Sequence, residues 1–134
     1  MSVHVVRLGT DRLAGEGVRI GTVRRPPRGV PKAQFASGNW YDVWLPELSP
    51  SAELVKQALA AQADRSVAGE RAWAKFVRGY RAEMAEAGPA HTLALLAALS
   101  RGSDFSVGCY CEDESRCHRS ALRDLLREAG AAIA

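Results

Sequence analysis

Long apolar runs are missing from this chain, and so are the cysteine spacings that usually announce a function. The longest apolar stretch, Leu93 to Leu99, falls far short of the roughly 20 residues that a membrane span needs, so no membrane partner is expected. The opening Met1-Ser2-Val3-His4 has neither the basic start nor the apolar core of a signal peptide. Cysteines number only 3, an odd count crowded into one segment. That argues against a disulfide framework and for a reducing, cytoplasmic setting. No internal repeat and no low-complexity linker divides the sequence, so residues 1–134 are read as a single domain, long enough to build its own core. Its net charge of +3 is too mild to establish nucleic-acid binding by itself.

What is present reads as an α/β chain. Val3 to Arg7 alternates weakly as a first strand, and Val18 to Val23 is a better one, with Val18, Ile20 and Thr22 on one face. Trp40 to Leu45 is a third, stopped by Pro46. Ser49-Pro50 reads as a helix start, with serine as cap and proline in the first turn, and the helix runs to about Ala63. Gly69 to Ala87 carries the clearest apolar stripe, Trp73, Phe76, Val77, Tyr80 and Met84, and Gly88-Pro89 closes it. His91 to Leu99 is apolar almost all round and suggests a buried helix. Phe105 to Tyr110 is the fourth strand, and roughly Ser115 to Gly130 the last helix. Strands separated by helices predict a three-layer domain: a mainly parallel sheet of about four strands with helices on both faces.

The densest chemistry is Cys109-Tyr110-Cys111, followed by Cys117-His118-Arg119-Ser120, where the last strand hands over to the last helix. Ligands of open α/β sheets bind outside the carboxyl ends of the strands, so this corner is the candidate site. Strand alternation puts Cys109 and Cys111 on one side. Helical spacing turns His118 toward the sheet with Leu122 and Leu125, leaves Arg119 at the flank, and points Cys117 away. The sixth residue after Cys109 is Ser115 and after Cys111 is Cys117, so the cysteine-to-arginine spacing of a tyrosine-phosphatase loop is absent. No C-x-x-C is present for thioredoxin chemistry or paired zinc knuckles. The four side chains Cys109, Cys111, Cys117 and His118 are acceptable zinc ligands, but adjacent helical Cys117 and His118 would diverge. No metal is therefore assigned, and the cofactor stays unknown. The plain alternative makes the cysteines small buried hydrophobes, His118 a core histidine, and Arg119 a partner of Asp113 or Glu114.

A second feature is Arg24-Arg25-Pro26-Pro27-Arg28-Gly29, three arginines stiffened by two prolines just after a strand. Trp40, Tyr41 and Trp44 offer stacking surfaces or core, and Asp42 among them is a polar candidate in support of the basic loop. Together, the loop from Arg25 to Gly29, Tyr41-Asp42-Val43-Trp44-Leu45-Pro46 with Ser49-Pro50, the Trp73/Phe76/Tyr80 helix with Glu83-Met84, and the Cys-Tyr-Cys…Cys-His-Arg ending resemble the domain of unknown function family 488, near its YeaO-like branch. The resemblance covers nearly the whole chain. It implies a compact α/β domain and marks Arg25, Gly29, Asp42, Pro46, Cys111, Cys117, His118 and Arg119, but it supplies no activity.

The leading expectation is a pocket for a small anionic, phosphate-like ligand. Arg25, Arg28, Asp42 and Arg119 would line it, His118 would act as acid, base or donor, and Cys111 or Cys117 would be the thiolate of a thiol-dependent enzyme. The alternatives are a nucleic-acid-binding module and a zinc-bearing structural protein. Oligomeric state is left open.

Overall fold

The computed structural model describes residues 1–134. Four strands, β1 (Val3–Arg7), β2 (Val18–Gly21), β3 (Val43–Trp44) and β4 (Phe105–Cys109), pair in the order β1-β4-β2-β3. All pairs are parallel, with Phe105 opposite both Val3 and Val18, and Ile20 opposite Val43. Four helices complete the fold: α1 (Ala52–Ala63), α2 (Val67–Met84), α3 (Ala87–Leu99) and α4 (His118–Glu128). The expected α/β domain with a parallel sheet is thus present. No helix is long and apolar enough to cross a membrane.

β4 is central, and all five of its residues are buried, as a parallel strand covered on both faces requires. Alternation sends Phe105 and Val107, with Val3 and Ile20 beside them, into one core with Leu54, Phe76, Tyr80, Leu93, Leu122 and Leu126. Those residues come from all four helices, so the helices gather on one face rather than on both. Irregular chain covers the other face, because the connections between the first three strands are too polar and too rich in glycine and proline to coil. Tyr41 lies so close over Gly21 that a Cβ there would stand 2.3 Å from its ring, and Leu8 lies similarly over Gly108, at 2.6 Å. Two glycines in adjacent strands let loop side chains lie flat on the sheet.

A charged pair also sits under this irregular layer. Arg19 is fully buried, and its guanidinium donates to Glu16 Oε1 at 2.7 Å and Oε2 at 3.1 Å, and to the carbonyls of Thr10 and Asn39. Glu16 also accepts from Leu13 N and Ser106 Oγ. Burial alone would raise the Glu16 carboxyl, but the hydrogen bonds from Arg19 and Ser106 overcome it and lower it to about 2.

Several boundaries differ from the sequence expectation. Asn39 at φ 62° turns the chain, and Trp40 and Tyr41 pack onto the sheet face, so only Val43 and Trp44 remain as strand. Ser51, not Ser49, caps α1, accepting from Leu54 N. Gly88-Pro89 lies in the first turn of α3 instead of closing α2, a place where the missing proline N–H costs nothing. α3 is only half buried, with Leu95 and Leu99 exposed, because just Leu93, Leu96 and Ala97 reach the core.

Arg19→Met should cost about 3–5 kcal/mol in urea denaturation, since it strands a buried carboxylate, whereas the double change with Glu16→Gln should cost clearly less. Because the folded carboxyl is depressed, its contribution is present above pH 4.5 and lost as pH falls toward 2. Acid titrations of the double variant should lack that component.

Candidate functional site

β4 delivers Cys109 to the carboxyl end of the sheet, and the chain then passes through Tyr110 and Cys111 to a 3-10 turn at Glu114–Arg116. Asp113 caps that turn by accepting from Ser115 N. α4 therefore starts at His118, later than expected, and Cys117 is its extended N-cap residue at φ −124° and ψ 149°. This corrects the expected direction of Cys117. Outside the helix, its side chain turns inward and is buried beside Cys109. One ligand atom from each of Cys109, Cys117 and His118 falls within 4.8 Å of the others. Cys111 Sγ stands 3.8 Å from Cys109 Sγ.

His118 faces the sheet, as its helical position predicted. Its Nε2 lies 2.7 Å from the Thr22 carbonyl, an acceptor only, so Nε2 carries the proton. Thr22 Oγ1 donates to the Gly108 carbonyl and leaves its own oxygen toward Nε2. Nδ1 is consequently a lone pair, and it sits 3.9 Å from Cys117 Sγ. The ring packs edge-on against Tyr80 with centroids 5.5 Å apart. Complete burial lowers the imidazole to about 4, against the Thr22 bond and the Cys111 charge, so His118 is neutral at neutral pH.

The three thiols share charge unevenly. Hydrogen bonds from Cys109 and Cys117 push the Cys111 thiol well down, helped by Gln62 Nε2 at 3.4 Å from its sulfur. The same contacts, with burial, push Cys109 up. For Cys117 a bond from Cys109 works downward but is outweighed by Cys111 and burial. Of the three, Cys111 is the thiol whose charged form these contacts favour, and it is the one cysteine that is not fully buried. Arg119 adjoins the cluster through the main chain of Cys111. It is buried, donates from Nη2 to the Cys111 carbonyl at 2.5 Å, and leaves Nε without a partner. Its expected acidic partners are engaged elsewhere, Asp113 with Arg65 and Glu114 with Arg123.

The basic loop lies beside this corner, across a shared wall. Arg25 and Arg28 join Arg7, Thr10, Trp40 and Tyr110 around an open cavity of about 650 Å³. A second cavity of about 270 Å³ is lined by Val55, Leu59 and Phe76, with Cys109, Cys111 and His118 at its floor. Arg25 and Tyr110 belong to both, held together by the Tyr110 hydroxyl donating to the Arg25 carbonyl at 2.8 Å. The structure thus brings Cys111 and His118 to one cavity and Arg25 and Arg28 to its neighbour. Asp42 lines neither. It chelates Arg12 and accepts from Arg19 N, supporting the β2 edge. Three contributors went unread in the sequence: Arg7, whose place at a strand's carboxyl end is the signal that marks it; Thr22, which acts through its backbone; and Gln62, for which a position in the last turn of α1 gives no cue.

The family model described as the active DUF488-N3 subclade, N3a, matches residues 3–130. The chain belongs to the DUF488 family. No curated protein and no solved structure matches it. The resemblance to this family is therefore confirmed at the level of the family, and the subclade matched is N3a. In this DUF488 chain the marked residues Cys117, His118 and Arg119 form a buried corner, and Cys111, the least buried of the three cysteines, lines the adjoining cavity with Cys109 and His118.

In reduced, chelator-treated protein, iodoacetamide should modify Cys111 well before Cys109 and Cys117, as read by peptide mass mapping. Equal rates at all three would contradict the burial order.

Proposed function

We propose that this DUF488 protein binds a small anionic ligand at the carboxyl ends of its sheet, in the arginine-lined cavity that adjoins the one lined by Cys111. The observation that carries the reading is electrostatic. Arg7, Arg25 and Arg28 converge on one cavity, no acidic residue lines it, and none of the three forms an ion pair. Unneutralised arginines around a concave site favour phosphate or carboxylate, which their planar donors grip two bonds at a time. Trp40 and Tyr110 stand edge-to-face with centroids 5.9 Å apart, offering an aromatic corner to the rest of the ligand. The cavity volume is that of a small-molecule site.

Roles within the cysteine corner follow from access. Cys111 is the most accessible of the three thiols, so thiol-dependent chemistry, if the protein performs it, falls to Cys111. His118 and Arg119 act on the cluster as positioning residues, and Cys117 lies behind them. Three free thiols are in keeping with a reducing, cytoplasmic setting. A small ligand is favoured over a nucleic-acid strand because the aromatics form no continuous row: Tyr41 is buried, and the Trp44 indole N–H donates to the Val23 carbonyl.

Calorimetric titration with inorganic pyrophosphate tests the proposal. Binding should weaken at least tenfold in an Arg25→Ala/Arg28→Ala variant that unfolds at the wild-type temperature. Unchanged affinity in that variant, or no binding at low ionic strength, would overturn the reading. Tight, steeply salt-dependent binding of a single-stranded oligonucleotide that pyrophosphate does not displace would favour the nucleic-acid alternative.

A further inference from the structure

We infer that the cysteine corner is a metal centre, with Cys109, Cys117 and His118 Nδ1 as its buried ligands and Cys111 closing the set at the cavity mouth, and that zinc is the ion it takes. The inference stands apart from the arginine cavity and rests on four observations. The first is spacing. Zinc–sulfur bonds of about 2.3 Å in a tetrahedron place two sulfurs about 3.8 Å apart. Cys109 Sγ and Cys111 Sγ are 3.8 Å apart, and Cys117 Sγ and His118 Nδ1 are 3.9 Å apart. Atoms from Cys109, Cys117 and His118 all lie within 4.8 Å of one another.

The second observation is the tautomer. A ligating histidine normally donates its other ring N–H to a carbonyl or carboxylate, which fixes the ring and frees the lone pair for the metal. His118 does this through Nε2 and the Thr22 carbonyl, leaving Nδ1 toward the sulfurs. Third, the sulfur at the cavity mouth has an outer partner of the kind metal-bound thiolates keep, since Gln62 Nε2 points at Cys111 Sγ. Gln62 is itself held by the Arg116 carbonyl at 2.6 Å.

Charge is the fourth. Arg119 is buried with no carboxylate partner and an unpaired Nε. A guanidinium is not kept out of water without compensating charge. Zn²⁺ bound to three thiolates and a neutral imidazole carries a net charge of −1, the three thiol protons leaving to solvent. That charge lies beside Arg119, which holds the Cys111 carbonyl. The spacing C-x-C-x5-C-H matches no finger or ribbon, because its ligands come from the end of a strand, the loop after it and the cap of a helix. The soft sulfur-rich set selects zinc over magnesium or calcium.

The test uses full-length protein purified under reducing conditions without a metal-affinity step. Elemental analysis should find close to one zinc per chain, or one after reconstitution. Cobalt(II) should give the intense visible bands of a tetrahedral site together with thiolate charge transfer. Cys111→Ser, which changes a half-exposed residue, should keep the fold and remove roughly a third of the charge-transfer intensity, one thiolate in three. Cys109→Ser and Cys117→Ser should lower metal affinity at least a hundredfold. Should either fail to fold, zinc protection of the wild-type cysteines against alkylation gives the same readout. Absence of zinc and cobalt binding at one equivalent, with alkylation rates unchanged by zinc, overturns the metal centre. Full charge-transfer intensity in Cys111→Ser overturns the fourth ligand. Neither result bears on pyrophosphate binding.

Discussion

The hydrogen bond from His118 Nε2 to the Thr22 carbonyl is the constraint on which the functional corner depends. It fastens the first residue of α4 to the residue that follows β2, across the end of the central strand. Since the proton stays on Nε2, Nδ1 must face Cys117. Since His118 opens the helix, Cys117 falls in the extended cap and its sulfur turns inward to Cys109. One bond to a main-chain atom therefore sets a tautomer, a helix start and the meeting of three side chains. Tyr80 behind the ring, its hydroxyl donating to the Leu48 carbonyl, keeps the imidazole from swinging away.

The same economy governs charge. The protein buries two arginines, and only one of them meets a carboxylate. Arg19 has a carboxylate, Glu16, and carbonyls enough to satisfy the rest of its fork. Arg119 has no carboxylate; it donates to the Cys111 carbonyl and leaves Nε unpaired. The surface arginines at Arg7, Arg25 and Arg28 are left unpaired around an open cavity. Charge buried under the irregular layer is paired within the fold, Arg119 is fixed to the main chain beside the thiols, and the open arginines are the ones the proposed anion would meet.

Much of this could be read from residue order, and the misses have definite causes. Element order, the parallel sheet and the inward turn of His118 follow from periodicity, which is strong where a helix or strand has one wet face. The direction of Cys117 was misread because a helix boundary displaced by a few residues converts an outward helical position into an inward cap. That one displacement also hid the metal-like spacing, because the apparent divergence of Cys117 and His118 existed only in a helix starting near Ser115. The layer without helices was not visible either: glycines at 21 and 108 read as weak strand residues, yet they are where Tyr41 and Leu8 rest. Separation of the basic loop from the thiols depends on Tyr110, whose hydroxyl bond to the Arg25 carbonyl has no trace in sequence.

The central claim is that His118 is held as a neutral ring with its proton on Nε2, and the most direct measurement is the ¹⁵N–¹H correlation spectrum of the imidazole nitrogens at neutral pH. The account predicts a slowly exchanging proton on His118 Nε2 and an unprotonated Nδ1. A proton on Nδ1, or a doubly protonated ring, would contradict it, since the lone pair facing Cys117 would no longer exist.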